Sequence, residues 1–483
     1  MSRALFALGR LLVAASLLAL GAGAAVAAKP DLTVRPPLSP PPSWKAPAPS
    51  SATTAAGTRV VVLPEHGLPI VHVLITVPAG SALDPPDRPG LAAAVAMMLQ
   101  EGGAGTHSAP EVAQAFAELG VDLEEHIDND EVQLYLSVLS RNLDRVLVLL
   151  GDLLARPRFD AAEWQRAQAR RIDEIHRRMD DPRHIADDVF DRVLYGDHPY
   201  GHSFLGTPAA VGAITVDELK RFYAAHYGPR TVAVILVGDA EATAASATVQ
   251  RALANWRSTA QPPAPAPAPM PQPARVVLVD RPDAPQSQVR VGHLGRERKT
   301  ADFPALTLLE TVLGGSFTSR LNQNLREKHG YVYHANAHFD LRRATGTFAA
   351  RAGVRTDATA PALKETVAEI SGMRAPMPQA ELDKGRSLVL QAVVEAFGDG
   401  NQTAEYLADL VTNDLPLDYW TRLPAALAAL DLPTLTRAAA QLFFPDRLTV
   451  VVVGDRKTIE PSLRALPFVK SIELRGVDGK LLK

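Results

Sequence analysis

Two stretches decide the fold of this chain: DELKRFYAAHYGPRTVAVILVGD at residues 217–239 and PTLTRAAAQLFFPDRLTVVVVGD at residues 433–455. Each combines an amphipathic helical pattern, a short turn with a proline, and a run of apolar residues that ends in Gly-Asp. The second stretch follows the first at an offset of 216 residues. The repeat of a closing helix and a buried strand indicates two domains of one kind.

The beginnings of the two halves repeat at the same offset. TRVVVLPEHGLPIVHVLITV at residues 58–77 corresponds to ARVVLVDRPDAPQSQVRVGHL at residues 274–294, with Arg59 matching Arg275. Matching ends at one offset favour a duplicated domain over two unrelated α/β domains with similar closing strands. A chain of 483 residues is also long enough to bury two cores.

Within each half, strand patterns alternate with long helical patterns. VQLYLSVL at residues 132–139 alternates like a half-buried strand, and Asp160 with Glu163 has the spacing of a capping box. One face of the following helix carries Trp164, Ile172, Ile175 and Met179. The connections are too mixed for a doubly wound parallel sheet. We therefore predict an α+β fold in each half, with a mixed or antiparallel sheet and helices packed on one face.

Residues 1–27 have the pattern of a secretory signal peptide. Arg3 and Arg10 accompany an apolar run, and AVA at residues 25–27 fits a small-x-small cleavage site. The apolar part is shorter than the roughly 20 residues that a membrane-spanning helix needs, which disfavours an uncleaved anchor. We expect an exported protein, periplasmic in a Gram-negative bacterium, with no transmembrane segment after cleavage.

Two segments rich in proline and alanine separate the predicted domains. Residues 28–57 predict an extended, mobile tether, and residues 257–274 predict a semi-rigid linker. The domains are therefore expected at residues 58–256 and 275–483.

Composition excludes several classes of function. The chain has no cysteine, which excludes disulfides, a thiol nucleophile and thiolate metal sites. A formal net charge of −3 without a dense basic patch argues against nucleic-acid binding. Neither a GxxxxGK loop nor a Rossmann fingerprint occurs, so the obvious nucleotide sites are absent from the sequence.

Four segments together resemble the pitrilysin family of metallopeptidases, which includes insulin-degrading enzyme and the mitochondrial processing peptidase. They are PAGSALDPPDRPGLAAAV (78–95), LLGDLLARPRFDAAEWQRAQARRIDEI (149–175), YGDHPYGHSFLGT (195–207) and LGGSFTSRLNQNLREKHGYVYHANA (313–337). The similarity runs from about residue 59 to residue 456. The resemblance implies two homologous α+β halves of the processing-peptidase type, which the internal repeat predicts independently.

Active members of the family carry H-x-x-E-H on a helix, where two histidines bind Zn²⁺ and the glutamate activates the zinc-bound water. In GLAAAVAMMLQEGG at residues 90–103, the histidine positions fall at Ala93 and Met97, and the glutamate position falls at Ala96. Only a distant ligand position is kept, as Glu174. One carboxylate cannot hold a catalytic zinc, so we expect no metal in this chain and regard Glu174 as an ordinary charge on a solvated helix face.

Other residues of metal-binding types do not form a replacement site. His198 and His202 enclose a proline and a glycine, which predicts a loop, whereas His334 and His338 lie about 13 Å apart in a strand-like stretch. A further group of ligand types is more typical of a turn or a solvated edge and consists of Glu124, His126, Asp128 and Asp130. No G-x-S-x-G nucleophile elbow occurs.

The second half keeps a different part of the family's active site. In LREKHGYVY at residues 325–333, the resemblance assigns substrate binding to Arg326 and Tyr333. A guanidinium and a phenol can donate hydrogen bonds to a peptide carbonyl as it develops negative charge. Two structural alternatives stay open, namely that Arg326 caps a helix C-terminus and that Tyr333 is a core residue with Tyr331 on the other side of its strand.

Loss of the zinc ligands with retention of the Arg/Tyr pair resembles heterodimeric members of the family, in which a partner subunit carries the metal. The leading hypothesis is a zinc-free subunit of an exported heterodimeric metallopeptidase that is inactive alone and presents Arg326 and Tyr333 to the zinc of a homologous subunit. The main alternative is a non-hydrolytic peptide-binding or structural envelope protein on the same fold. A homodimeric peptidase with an unrecognised metal site is the third.

Overall fold

The computed structural model of the protein describes residues 44–482. The predicted signal peptide and the part of the predicted tether before residue 44 lie outside this range. From Lys45 onwards the chain forms one unit that contains both halves of the repeat. Among the helices described, none combines the length and the apolar character needed to cross a bilayer.

Strands and helices alternate through the first half. Its strands are β1 (Ser50–Thr53), β2 (Arg59–Pro64), β3 (Ile70–Val77), β4 (Glu124–Ile127), β5 (Val132–Leu139) and β6 (Ala233–Gly238). Its helices are α1 (Leu91–Glu101), α2 (Ala109–Ala117), α3 (Leu143–Ala155), α4 (Ala161–Asp180), α5 (Pro182–Tyr195), α6 (Pro208–Ala213), α7 (Val216–His226) and α8 (Ala242–Ala252). The strand predicted at residues 132–139 is confirmed as β5, with alternating burial.

The second half repeats this order after residues 257–274, which contain no helix or strand. Its strands are β7 (Arg275–Asp280), β8 (Gln286–Leu294), β9 (Val332–Asp340), β10 (Thr347–Arg355), β11 (Thr449–Gly454) and β12 (Ile472–Arg475). Its α-helices are α9 (Phe303–Leu313), α10 (Thr359–Gly372), α11 (Gln379–Ala396), α12 (Gly400–Thr412), α13 (Tyr419–Ala428), α14 (Leu432–Leu442) and α15 (Arg456–Arg464). A π-helix (Asn322–Lys328) precedes β9.

The two sheets have equivalent topologies in five of their six strands; at the remaining edge, β1 pairs antiparallel with β2, whereas β12 pairs parallel with β7. The first has the strand order β1-β2-β6-β3-β5-β4 and the second β12-β7-β11-β8-β10-β9. Both are mixed, because β2 pairs parallel to β6 and β7 parallel to β11, whereas the remaining central pairs are antiparallel. The bounds of β2 and β7, and those of β6 and β11, differ by the offset of 216 found in the sequence. The predicted duplicated α+β fold is therefore confirmed.

The first sheet begins inside the segment that the sequence assigns to the tether. β1 pairs antiparallel with β2, from Ser50 opposite Val62 to Thr53 opposite Arg59. The tether prediction is wrong for these four residues, because an edge strand is held by main-chain hydrogen bonds and needs no apolar side chains. The first domain therefore starts before residue 58.

A helix from the opposite half covers the second face of each sheet. Apart from α5, the first half's helices pack on one face of its sheet, as predicted, but α12 contacts β3 and β6 from the other side, and α5 contacts β8 and β11 of the second sheet. On α5, Ile185 and Phe190 are buried in a cluster with Val277 and Val451 of the second sheet. Burial of each such side chain contributes about 1.5–3 kcal/mol. The halves are thus joined by exchanged helices.

Candidate functional site

Helix α1, which occupies the place of the family's metal-binding helix, is anchored firmly at its start. Gly90 has a φ of 95°, and a Cβ there would lie 2.6 Å from the carbonyl oxygen of Leu205, so this position requires glycine. The Asp84 carboxylate accepts hydrogen bonds of 2.7 Å from the N–H groups of Gly90 and Ala92. An anion is favourable at a helix N-terminus. The start of α1 is therefore fixed by Gly90 and the Asp84 carboxylate.

The inward side of α1 offers no metal ligand. Ala93 and Ala96 are fully buried, and Met97 is 7% exposed. Their side chains present two methyl groups and one thioether, whereas zinc sites use imidazole, thiolate and carboxylate groups. The residues present therefore do not fit zinc, in agreement with the loss of H-x-x-E-H that the sequence shows.

A cation of the protein itself occupies the space beside Met97. Arg171, on α4, is only 6% exposed, and its Nη2 donates a hydrogen bond of 3.5 Å to the Met97 Sδ. The same nitrogen lies 3.7 Å from Oε1 of Glu125 on β4, and Nη1 lies 3.3 Å from Oε2 of Glu174. Glu174 is half-exposed, as expected for a solvated helix face, but it is paired with this buried guanidinium.

The raised pKa of Glu125 indicates that its carboxylate is incompletely paired. Burial raises the pKa of Glu125 to about 7, and nearby Arg171 opposes the shift without cancelling it. At 3.7 Å the Arg171–Glu125 contact is too long for a hydrogen bond, and Glu125 Oε2 and Arg171 Nε are buried without a partner. The site therefore contains two groups that still have hydrogen-bonding capacity.

Nothing in the sequence patterns singled out Arg171 or Glu125. Arg171 lies seven residues after Trp164 and four before Ile175, which places it on the buried face of α4. The burial of Arg171 could have been inferred only from its position, since the helical period places this charged residue among the apolar residues of α4. Its partner on β4 is far away in the sequence and could not be inferred.

The paired histidines of the sequence have separate structural roles. His198 and His202 flank the short turn Pro199–Gly201, which confirms the predicted loop, and His202 Nε2 lies 3.2 Å from the Asp84 carboxylate. His334 and His338 lie on β9, the predicted strand, where His338 Nδ1 is 3.0 Å from Glu310 Oε1. Neither pair converges on one point.

The acidic group near residue 126 forms an edge and a turn. Glu124 and His126 lie on the edge strand β4, and Asp128 Oδ1 accepts hydrogen bonds from the N–H groups of Asp130 and Glu131 at 2.7 and 2.8 Å. This agrees with the structural interpretation of these residues. Within residues 44–482, no group of three or more His, Cys, Asp or Glu side chains is arranged to hold a metal ion.

Arg326 and Tyr333 converge from two different elements. Arg326 lies on the π-helix, and its guanidinium carbon is 5.5 Å from the ring centre of Tyr333 on β9 and 4.4 Å from the ring centre of Phe317. Tyr333 is 86% exposed and Phe317 61% exposed, so Tyr333 is not a core residue. Cation–π contacts of this kind contribute about 0.5–1 kcal/mol at exposed sites. The pair thus forms a solvent-facing cluster.

Asn322 holds this cluster in place. Its buried amide donates hydrogen bonds of 3.2 Å to the carbonyl oxygen of Ser316 and to Oγ of Ser319, and its Oδ1 accepts one of 3.0 Å from the N–H of Ala335 on β9. The π-helix is therefore tied both to the loop before it and to the strand that bears Tyr333. Neither Asn322 nor Phe317 was predicted, because their roles depend on contacts outside their own segment.

The outer edge of β9 is partly covered by side chains. The N–H of Ala335 binds Asn322, and the N–H of Phe339 donates a hydrogen bond of 2.8 Å to Glu310 Oε2 on α9. This side of the second sheet therefore presents the exposed rings of Phe317 and Tyr333, with the half-buried Arg326 between them, rather than a fully open strand edge.

Comparisons with known proteins agree with this geometry. A family model described as insulinase, peptidase family M16, matches residues 59–208, and one described as the peptidase M16 inactive domain matches residues 213–389. Together the two models cover about two thirds of the chain. The chain belongs to the M16 peptidase family.

Relatives of this M16 protein include an uncharacterized zinc protease of Mycobacterium tuberculosis, 29% identical over 327 residues, or 66% of this chain and 73% of the relative. The fold is similar to a solved peptidase M16 inactive domain from Pseudomonas fluorescens, with a TM-score of 0.80, 24% identity, and coverage of 84% of this chain and 98% of that one. A protease from Helicobacter pylori gives a TM-score of 0.78 at 21% identity, with coverage of 84% and 99%.

The M16 fold of this protein therefore carries two different sites. Its α1 has alkyl and thioether groups where active members bind zinc, and the carboxylates nearby are engaged by Arg171. We assign no chemical step to a metal bound by this chain. The cluster of Phe317, Arg326 and Tyr333 lies on the second half, with both aromatic rings exposed.

Proposed function

We propose that this chain is the zinc-free subunit of an exported two-chain M16 peptidase. The observation that carries the proposal is the contact between the half-buried Arg326 and the exposed Tyr333 on the second half, although the first half has no metal ligands on α1. In this proposal the chain is inactive alone and binds peptide substrates. A homologous zinc-bearing subunit supplies the metal.

The contacts of Arg326 suit it to bind a carbonyl oxygen. Ring faces of Phe317 and Tyr333 attract the guanidinium without accepting its N–H groups in conventional hydrogen bonds, and its ion pair with Glu327 is long, at 3.5 Å. The N–H groups can therefore donate to a peptide carbonyl, and the Tyr333 hydroxyl can donate beside them. These hydrogen bonds strengthen as negative charge develops on the carbonyl oxygen. The partner's zinc would activate the attacking water.

A cavity next to Phe317 supports peptide binding. It has a volume of about 500 Å³ and is lined by polar and charged residues that include Glu310, His334 and Arg351. A space of this size accommodates one or two peptide side chains. The cavity is equally consistent with a second candidate function, in which the protein binds peptide without taking part in hydrolysis.

Reconstitution tests the proposal. The mature chain is mixed with a homologous exported M16 subunit that contains an intact H-x-x-E-H, and hydrolysis of a quenched-fluorescence peptide library is measured for each chain and for the mixture. We expect hydrolysis only by the mixture. Arg326→Ala should lower kcat/KM of the complex roughly 10²- to 10³-fold, the usual loss for one such donor.

Matched variants separate the two candidate functions. Tyr333→Phe removes one donor while keeping the ring, and should also lower the rate. Arg447→Ala is the control, since Arg447 likewise lies over an aromatic ring, that of Phe444, but in the turn before β11. Full activity of the Arg326→Ala complex would refute the role of Arg326 in hydrolysis. Peptide binding by this chain, with a mixture no more active than the zinc-bearing subunit alone, would favour binding without hydrolysis.

We further propose export to the periplasm, on the basis of the signal-peptide pattern in residues 1–27. Expression of the full chain in a Gram-negative host should give a periplasmic product whose N-terminus begins near residue 28. A cytoplasmic product that retains Met1 would refute this part of the proposal.

A further inference from the structure

Three elements bring electron-rich groups to one point in the first half. Met97 of α1, Glu125 of β4 and Glu174 of α4 lie at 3.5, 3.7 and 3.3 Å from terminal nitrogens of Arg171. Arg171 is nine-tenths buried, its Nε has no hydrogen-bond partner, and Glu125 Oε2 is also buried without a partner. These groups therefore surround one buried guanidinium, with solvent reaching the cluster on the side of Glu174.

The charge at this point resembles that of an occupied cation site. A largely buried carboxylate, a half-exposed carboxylate and a buried thioether meet here, and a single positive charge lies between them. Neighbouring Arg170 does not contribute, because it is exposed and paired with Glu101. A divalent cation entering the same space would have to displace Arg171 from its acceptors and would be repelled by it at contact distance.

We propose that Arg171 is a built-in cation that takes the place of a metal ion: it lies between Glu125 and Glu174 as their nearest positive charge, links α1, β4 and α4, and excludes divalent cations from the site. The loss of metal binding is then twofold. The ligands on α1 are missing, and the space is filled by a side chain that competes with any ion. This inference concerns the first half alone and does not depend on the proposed partner.

The proposal predicts that restoring one zinc ligand on α1 does not restore zinc binding until Arg171 is removed. Four forms of the full mature chain are compared: wild type, Met97→His, Arg171→Ala, and the double variant. Each is equilibrated with Zn²⁺, and bound zinc is measured by elemental analysis and calorimetry. In the double variant, the imidazole introduced by Met97→His would join Glu125 and Glu174 as the third ligand, and about one zinc per chain should bind. With Arg171 retained, affinity should be at least about 100-fold weaker.

Two further variants control for nonspecific charge removal and for misfolding. Met97→His combined with Arg170→Ala removes the adjacent, exposed arginine and should bind no more zinc than Met97→His alone. If Arg171→Ala does not fold by circular dichroism, Arg171→Gln replaces it, since glutamine is neutral and retains most of the bulk. A folded double variant should also gain thermal stability when zinc is added.

Two results would overturn the inference. Tight zinc binding by Met97→His with Arg171 in place would show that the guanidinium does not exclude the ion. Failure of a folded double variant to bind zinc would show that Glu125 and Glu174 do not form a cation site at all. Zinc content is measured without any peptidase activity, so both results are distinguishable from failure of the proposed function.

Discussion

Two arginines, one in each half of the duplicated fold, illustrate opposite uses of the same side chain. Arg171 is buried between carboxylates and a thioether, whereas Arg326 lies at the surface between two aromatic rings. Carboxylates engage the donor groups of a guanidinium and fix its charge in the fold. Ring faces hold the cation but leave its N–H groups free for another molecule. The surroundings, rather than the residue type, decide whether an arginine serves stability or binding.

The largest effect on stability is expected at Arg171. Arg171→Met should lower the free energy of unfolding by about 3–5 kcal/mol, because it leaves a buried carboxylate without its counter-charge. Urea denaturation followed by circular dichroism at pH 7.5 measures this loss. Arg170→Met is the control and should cost less than about 1 kcal/mol, as its ion pair with Glu101 is exposed. Equal losses for the two variants would remove the contrast between a buried and a surface cation.

A pH effect is expected at the same site. Burial raises the pKa of Glu125 from 4.5 to about 7, so the folded state binds this proton more tightly than the unfolded chain. The free energy of unfolding therefore falls as pH rises from about 4.5 to about 7. Glu125→Gln should reduce that fall by about 2 kcal/mol.

Urea denaturation at pH 5 and pH 8 measures the pH effect, with Glu124→Gln on the exposed side of β4 as the matched control. An unchanged difference between the two pH values in Glu125→Gln would show that the carboxylate is better paired than the structure indicates.

A smaller loss is expected in the second half, where Asn322 connects the π-helix to β9. Asn322→Ala should cost about 1–3 kcal/mol, because the N–H of Ala335 loses its acceptor in a buried position. Asn322→Asp retains that acceptor and should cost less. Thermal denaturation of both variants measures the difference. If the two are equally destabilised, the amide donors to Ser316 and Ser319 matter more than the bond to β9.

The smallest effect is expected at Arg326. Its ring contacts are exposed, so Arg326→Ala should change the free energy of unfolding by no more than about 1 kcal/mol, despite the large loss of activity expected in the complex. Urea denaturation of this variant and of Arg447→Ala makes the comparison. A loss of several kcal/mol would reveal a structural arginine and would weaken the proposed role in substrate binding.

The sequence predicted the scaffold well, because duplication and periodicity are properties of the chain itself. The offset of 216 anticipated β2 with β7 and β6 with β11, and the alternation at residues 132–139 gave β5. The exchange of α5 and α12 was not predicted. Both helices have an apolar face, but the pattern along a helix does not reveal which sheet that face will contact.

Local signals were less reliable where side chains had other partners. Asp160 does precede α4, but its side chain makes no capping bond: its carboxylate pairs with Arg158, and Glu163 pairs with Arg166. The same signature forms a complete capping box at Thr215 and Glu218. At the candidate site, Arg326 and Tyr333 were singled out by the resemblance to the pitrilysin family, whereas Arg171 was not, since its burial depends on a strand some 46 residues earlier.

Because α5 and α12 each cover the sheet of the other half, neither half is complete without the other. Cleavage in residues 257–274, which contain no helix or strand, would sever the covalent link, but each fragment would still bury its partner's sheet beneath its own helix. The two pieces should stay together after a protease nick and separate only on denaturation. Neither fragment alone would shield both faces of its sheet from solvent. The halves are therefore expected to fold cooperatively rather than one after the other.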